Sequence, residues 1–299
     1  IFIMVLVPGI MVYIIQVMVL KKWVNPLPGI PSCFIGDTDL TLHDGSNIKI
    51  KDVDVGMVLQ HNNVVTAKMK LANIDETVYC LNGIYCTGEH MMKYNNSWIK
   101  MKDHPHSIIT DFHDEYLYCI NTSKKVIHIE NEIFGDWDEL DNAQIDELKQ
   151  KCNKYLPKQF ELHDIHKYLD GGFVSTTKIE LQDGHNVNIC DIEVNNILRF
   201  GERVTGIVKI KADDLETKQF ILGKQTNIYG GPNLHICDSD LGMKSTLDTY
   251  GEKVKCDYVY HIITNKRTFH VNGIKFYDYN SCIDKYLELE NHKLVKVLI

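Results

Sequence analysis

From residue 33 onward, apolar and polar residues alternate with the period of two that half-buried strands show. Two such runs, residues 39–42 and 48–50, flank Asp44-Gly45, a dipeptide typical of tight hairpin turns. Similar runs recur about every 8 to 12 residues, with turn residues between them. They are residues 64–69, 77–81, 84–86, 98–101 and 116–121. The pattern predicts an all-β fold.

Residues 141–156 break this pattern, because their apolar residues recur at helical spacing. Those residues are Ile145, Leu148, Cys152 and Tyr155, and Asp141 can cap the start. We predict a helical connector over residues 141–168.

The β pattern then returns as a repeat. Residues 33–59 align without gaps on residues 172–198, a constant offset of 139, and 10 of the 27 positions are identical. The simplest account is two tandem homologous β units joined by the helix. We place them at residues 33–140 and 169–290, followed by a tail at 291–299.

The first 20 residues carry no charge, and their number matches the hydrocarbon thickness of a bilayer. Lys21, Lys22 and Trp23 follow, as at a membrane interface. We therefore expect a transmembrane segment at residues 1–22, with the lipid bilayer as a partner and the folded part on the cytoplasmic side. A signal peptide and a buried core helix remain alternatives. A Pro-rich linker, residues 23–32, comes next, and the initial Ile suggests further chain upstream.

The charge and the cysteines narrow the class of protein. The net charge is −8 and no dense Lys/Arg block occurs, so we expect no nucleic-acid partner. The nine cysteines are irregularly spaced and include no Cys-x-x-Cys pair. This argues against a disulfide framework and favours a reducing compartment.

Cys33 stands where the first unit begins, directly after Ser32. A Cys thiolate can attack the carbonyl of the preceding residue and convert the amide to a thioester. Such a step needs a proton for the departing nitrogen and polarisation of the bond. Thr87 and His90, three residues apart at the end of a short apolar run, supply suitable side chains.

These motifs resemble the Hint superfamily, which includes hedgehog autoprocessing domains and inteins. The matching residues are Cys33, Thr38, Asp44-Gly45, Asp52 to Gly56, Thr87, His90 and Trp98. The resemblance covers residues 33–136. The paired arrangement also resembles Hint-containing proteins predicted in large DNA viruses.

The resemblance implies a Hint-type β fold that cleaves its own chain at the Ser32–Cys33 bond. Cys33 would be the nucleophile of an N–S acyl shift, His90 would protonate the leaving nitrogen, and Thr87 would polarise the bond. Cys119 stands where many members carry Asp, as a second nucleophile or as a small buried core residue. The substrate would be the upstream polypeptide, without a cofactor. Water, a sterol or another nucleophile remain open as acceptors.

Full splicing is not favoured, because the family's terminal His-Asn is missing. The first unit reads Gly135-Asp136-Trp137 at that place. The second unit has Gly172 in place of Cys33 and lacks a Thr-x-x-His motif, so we expect it to be a degenerate, non-catalytic copy.

Two rival interpretations remain. The candidate metal ligands are Cys80, Cys86, His90, His104, His106 and Cys119. Their spacing fits zinc motifs poorly, so we expect no metal. The other rival is a catalytically inactive Hint-like β module with a binding or structural role at a membrane.

Overall fold

The computed structural model of the chain describes residues 33–136 and 171–282, with gaps at 214, 216, 223–225, 232–233, 238–243 and 246–250. The predicted transmembrane segment, linker and C-terminal tail lie outside the described residues, and so does the predicted helical connector. Within the described ranges no helix is long and apolar enough to span a bilayer. Both β units belong to one compact body, residues 31–299.

The described part of the chain is built mostly of β-strands, which confirms the predicted all-β class. Each of the seven predicted runs of the first unit coincides with a strand to within a few residues, and six further strands had no predicted run. The first unit has 13 described strands. They are β1 Phe34–Ile35, β2 Asp39–Thr41, β3 Asn47–Lys49, β4 Val58–Leu59, β5 Asn63–Ala72, β6 Val78–Leu81, β7 Ile84–Thr87, β8 Met91–Tyr94, β9 Ser97–Lys100, β10 Ile108–Ile109, β11 Tyr116–Thr122, β12 Val126–Ile129 and β13 Glu132–Gly135.

The second unit repeats much of this order. Its strands are β14 Phe173–Val174, β15 Lys178–Glu180, β16 Asn186–Asn188, β17 Val204–Lys211, β18 Lys218–Leu222, β19 Thr226–Gly230, β20 His235–Ile236, β21 Lys244–Ser245, β22 Gly251–Lys253, β23 Tyr258–Thr264, β24 Thr268–Val271 and β25 Ile274–Tyr277.

Both predicted Asp-Gly hairpins are present. Strand β2 pairs with β3 and β15 pairs with β16, in each case around a glycine at positive φ. Gly45 has φ +86° and Gly184 has φ +87°, conformations that residues with a Cβ rarely adopt. Asp44 and Asp183 brace the two turns by accepting hydrogen bonds from the backbone two residues on.

One large sheet runs through both units, in the order β10-β6-β7-β1-β11-β5-β17-β23-β14-β19-β18-β22. The order is nearly mirrored about its centre. Strands β11, β1 and β7 on one side correspond to β23, β14 and β19 on the other. The two units therefore share a sheet through their equivalent strands β5 and β17.

The central pairing of β5 with β17 gives the units a pseudo-two-fold relation. In this antiparallel pair Met69 lies opposite Val208, and these two residues are 139 positions apart, the offset of the sequence repeat. A residue and its equivalent thus face each other across the axis. The same geometry defines an isologous contact between identical subunits.

Contacts on either side of this axis repeat as well. The ammonium of Lys70 lies 3.8 Å from the ring centre of Tyr116, and that of Lys209 lies 4.3 Å from the ring centre of Tyr258. Lys209 also crosses the junction to pair with Asp54 at 2.7 Å. These partly exposed pairs orient the units more than they stabilise them.

Three buried clusters hold the fold together. One lies within each unit, and the third spans the junction. The third includes Met69, Val208 and Ile210, each at most 2% exposed, together with Cys33. Each such aliphatic side chain contributes roughly 1.5–3 kcal/mol when fully buried. The candidate nucleophile is therefore packed into the core that joins the two units.

Gly230 and Gly231 provide a matched pair for testing the close packing in the second unit. A Cβ on Gly230 would collide with the carbonyl oxygen of Gly172, whereas the atoms nearest to a Cβ on Gly231 lie at 3.7 Å. We expect Gly230→Ala to lower the free energy of unfolding by about 1–3 kcal/mol, because the backbone must move. Gly231→Ala should stay within about 0.5 kcal/mol of the wild type. Urea unfolding of both variants measures the difference, and equal effects would contradict the packing.

Candidate functional site

Cys33 lies immediately before β1, and its side chain is fully buried. Strand β1 pairs with β11 on one side and with β7 on the other, both antiparallel. The registers pair Phe34 with Tyr118 and with Cys86. One step back along β1, Cys33 therefore lies between Cys119 and Thr87.

Cys33 and Cys119 form a disulfide, with their Cα atoms 4.8 Å apart. Directly opposed residues of antiparallel strands lie at this separation, which is within the range a disulfide bridges. The irregular cysteine spacing predicted no disulfide framework, and this bond was not anticipated. The sequence separation of 86 residues conceals their adjacency, which only the strand order reveals.

Thr87 holds the backbone of Cys33 through two hydrogen bonds. The Cys33 amide nitrogen donates to Thr87 Oγ1 at 3.1 Å, and the Thr87 amide donates to the Cys33 carbonyl oxygen at 2.9 Å. Both residues are at least 99% buried. The nitrogen that Thr87 contacts belongs to the Ser32–Cys33 peptide bond, although Ser32 itself lies outside the described residues.

His90 is fixed by the turn that follows β7. Its amide donates to the Thr87 carbonyl at 3.1 Å, and its ring packs against Phe34 at 4.3 Å and Phe134 at 5.4 Å between ring centres. The ring Nε2 lies 3.2 Å from the carbonyl oxygen of Gly135. A carbonyl only accepts, so Nε2 carries the proton and Nδ1 carries the lone pair of the neutral ring.

Burial lowers the pKa of His90 to about 3, against an ordinary value of 6.5, because charge is costly inside the core. The bond to Gly135 opposes this shift without cancelling it. His90 is therefore neutral near pH 7. Its neutral ring can accept a proton at Nδ1 and donate one from Nε2.

Asp136 is a further buried polar residue of this region, and the sequence motifs gave it no role beyond marking the missing His-Asn. It follows β13, is 2% exposed, and its Oδ2 accepts a hydrogen bond from the Thr122 amide at 2.8 Å. Asp278 makes the same bond to Thr264 in the second unit, at 3.0 Å. Its recurrence in both units, with and without a nucleophile, indicates a structural role: each carboxylate ties the last strand of its unit to the strand equivalent to β11.

The second unit keeps the frame of the site and lacks its reactive groups. Phe173 pairs with Gly230 and with Tyr260, so Gly172 lies opposite Gly231 and His261. Gly172 occupies the place of Cys33, Gly231 that of Thr87, and His261 that of Cys119. A Cβ on Gly172 would lie 2.9 Å from the Tyr260 carbonyl oxygen, so this place has no room for a cysteine.

Like His235, His261 is a buried histidine of the second unit, and it does not occupy the place of His90, which Leu234 takes. It is 1% exposed, and burial lowers its pKa to about 3. Its Nε2 lies 3.8 Å from the sulfur of Cys282, and burial raises the pKa of that thiol far above its usual range. The contact thus joins a neutral imidazole to a neutral thiol.

The rival metal site finds no support in the described part of the chain, where no group of three or more His, Cys, Asp or Glu side chains is placed to hold a metal ion. Cys119 is taken up by its bond to Cys33. His104 instead accepts a hydrogen bond at Nδ1 from the amide of His106.

Comparison with known proteins adds little to the description of this site. No protein-family model and no curated protein matches the chain. Among solved structures, a DnaB intein from Synechocystis sp. PCC 6803 is similar over 35% of this chain and 98% of its own length, with 15% identity and a TM-score of 0.26. A similarity this low carries no argument about mechanism.

The buried, neutral side chains of His90 and His261 predict acid lability. Between pH 6.5 and about 3 the unfolded chain binds protons that the folded chain does not, so the free energy of unfolding falls as the pH falls. Each histidine contributes a slope of up to about 1.4 kcal/mol per pH unit. His261→Asn should remove one such slope in urea unfolding measured from pH 7 to pH 4.5.

The matched control for this measurement is His185→Asn, because the His185 side chain is 82% exposed. This variant should retain the wild-type slope. A slope unchanged in His261→Asn would show that burial does not keep the imidazole neutral.

Proposed function

We propose that the first unit is a Hint-type self-processing domain that cleaves its own chain at the Ser32–Cys33 bond. The observation that carries this proposal is the 3.1 Å hydrogen bond from the Cys33 amide nitrogen to Thr87 Oγ1. A buried hydroxyl thereby contacts the nitrogen that must leave. His90 stands three residues beyond Thr87, with its ring against Phe34.

The nucleophile must first be released, because a sulfur held in a disulfide cannot attack. A thiol or phosphine reductant supplies two electrons, two protons complete the reaction, and Cys33 and Cys119 become thiols. The sulfur of Cys33 then adds to the carbonyl carbon of Ser32. The C–N bond breaks, the acyl group stays on sulfur as a thioester, and the proton of the thiol ends on the new amine of Cys33.

Thr87 and His90 have different roles in the protonation of the leaving nitrogen. A hydroxyl both accepts and donates, so Thr87 holds the amide N–H before attack and can donate once the nitrogen bears a lone pair. A neutral His90 can relay the proton of the thiol. Cys119 stands next to Cys33, and this supports its role as a second acceptor by thioester exchange. Hydrolysis or attack by another nucleophile completes the cleavage.

The second unit acts in this proposal as a non-catalytic scaffold. Gly172 offers no thiol, and the junction core that contains Cys33 is completed by residues of the second unit, among them Val208 and Ile210. If residues 1–20 cross a membrane, cleavage releases the folded part from it.

The proposal predicts cleavage that depends on reductant. The full chain in detergent, treated with a phosphine and then with hydroxylamine, should yield fragments 1–32 and 33–299, because hydroxylamine captures the thioester. The oxidised chain should stay intact. Mass spectrometry of both fragments is the measurement. A reduced sample that stays as intact as the Cys33→Ala control would instead support the inactive binding or structural module.

Two further variants assign roles in the same assay. Cys119→Ser cannot form the disulfide, so it should cleave with hydroxylamine alone. Thr87→Val keeps the shape of the side chain and loses the hydroxyl, and its cleavage rate should fall by roughly 100-fold or more. A wild-type rate for Thr87→Val would remove Thr87 from the proposed mechanism.

A further inference from the structure

A cavity of about 360 Å³ lies where the two units meet, on the half-exposed side of β5 and β17. It is distinct from the Cys33 site. Successive residues of a strand point to opposite faces of the sheet, so Tyr118 lines the cavity while Cys119 points into the buried junction core. Tyr260, the equivalent of Tyr118, lines the other half.

The two halves of this cavity differ chemically at equivalent positions. Lys51 of the first unit corresponds to Cys190 of the second at the offset of 139, and Lys68 corresponds to Ile207. The pseudo-two-fold frame would give both walls the same character if the residues matched. Instead the wall of the first unit is cationic, with Lys51, Lys68 and Lys70, whereas the wall of the second unit carries Lys209 beside mostly apolar residues. We call them the cationic and the apolar wall.

Lys70 of the cationic wall lies over the ring of Tyr116. Lys68 of the same wall is held by backbone carbonyls. Its Nζ donates to the carbonyl oxygens of Lys51 and Val53, both at 2.6 Å, and these acceptors are neutral. Lys51 and Lys209 also line the cavity, and each is paired with an aspartate. Burial lowers the pKa of Lys68, and the nearby carboxylates of Asp54 and Asp52 oppose this shift only in part.

Ile189, Ile192 and Ile207 form most of the apolar wall. Small-molecule sites commonly combine a volume of roughly 300–1,000 Å³, apolar walls and a few placed polar groups. We propose that this cavity binds an anionic amphiphile, with an acyl chain on the isoleucine wall and a carboxylate or phosphate head at Lys68.

Cys190 gives a direct readout, because its thiol is exposed and lines the cavity. An occupant should shield it from alkylation by N-ethylmaleimide. The half-buried Cys256 lines a different cavity and serves as the internal control.

Decanoate, used below its micelle-forming concentration on the full chain, should slow alkylation of Cys190 about tenfold at ten times its Kd, since only the free fraction reacts. Alkylation of Cys256 should not change. Peptide mass spectrometry reports both rates.

Two further probes separate the parts of the proposal. Decanol has the chain without the charge, and inorganic phosphate has the charge without the chain. Weak or absent protection by both, beside clear protection by decanoate, supports the amphiphile. Equal protection by decanol would overturn the role of Lys68, and equal protection by phosphate would overturn the role of the apolar wall. No protection by any probe would overturn the site.

Variants then test the cationic wall. Lys68→Ile installs the residue of the opposite wall and should weaken decanoate binding about tenfold or more, since a charge-assisted contact is lost. Lys211→Ile changes the same strand as Lys209 outside the cavity and should bind as the wild type does. If Lys68→Ile does not fold, Lys51→Ala replaces it, with a smaller loss expected. Wild-type affinity in the folded variant would refute the assignment. The readout does not involve cleavage, so it is independent of the outcome at Ser32–Cys33.

Discussion

Strand β1 is hydrogen-bonded on both sides, and its register determines what surrounds Cys33. The strand is two residues long, yet β7 and β11 flank it and Phe34 anchors it in the core at 0% exposure. A slip of one residue would move Phe34 from the core of the first unit into the junction core, where Cys33 and Ile35 pack, so the alternative register is disfavoured. With Phe34 in place, Cys33 meets Thr87 on one side and Cys119 on the other. The candidate site thus follows from the register of this strand.

The second unit has the same arrangement of strands around Gly172 and lacks the reactive side chains of the first unit. Gly172 and Gly230 approach so closely that a Cβ on Gly230 would collide with the Gly172 carbonyl. A Cβ on Gly172 would in turn lie 2.9 Å from the carbonyl oxygen of Tyr260, so a single substitution cannot place a cysteine there without moving the backbone. The close packing of β14 against its neighbouring strands thus leaves no room for a nucleophile at this place. Such residues in contact are expected to couple, so their substitutions should not be additive.

Much of this arrangement could be read from the sequence, because it rests on local signals. Alternating runs predicted seven strands of the first unit, Asp44-Gly45 predicted a hairpin, and the gapless repeat predicted a second unit with an equivalent Asp183-Gly184 turn. The proximity of Thr87 to the Cys33 nitrogen was also anticipated, since the Thr87–His90 spacing points to a strand end.

What the sequence did not reveal depends on long-range pairing. The Cys33–Cys119 bond arises from two strands that are adjacent in the sheet and far apart in the chain. The junction of β5 with β17 is likewise a pairing between units, and alternation within β5 gives no partner. The cavity there went unnoticed for the same reason, because Lys68 and Ile207 become opposite walls only when the pseudo-two-fold axis is known.

The neutral state of His90 fits the chemistry proposed at Cys33 better than a charged one would. Conversion of a thiol and an amide into a thioester and an amine neither consumes nor releases a proton overall. A relay that starts neutral can therefore return to neutral, and no ion has to be kept in a core where His90 is 1% exposed. A permanently charged imidazole would have to be desolvated in the resting fold, a penalty that burial makes large and that Gly135 offsets only in part. In the proposed reaction the ring would carry charge only while the proton is in transit, and the hydrogen bond from Nε2 to Gly135 makes Nδ1 the nitrogen that would take it up.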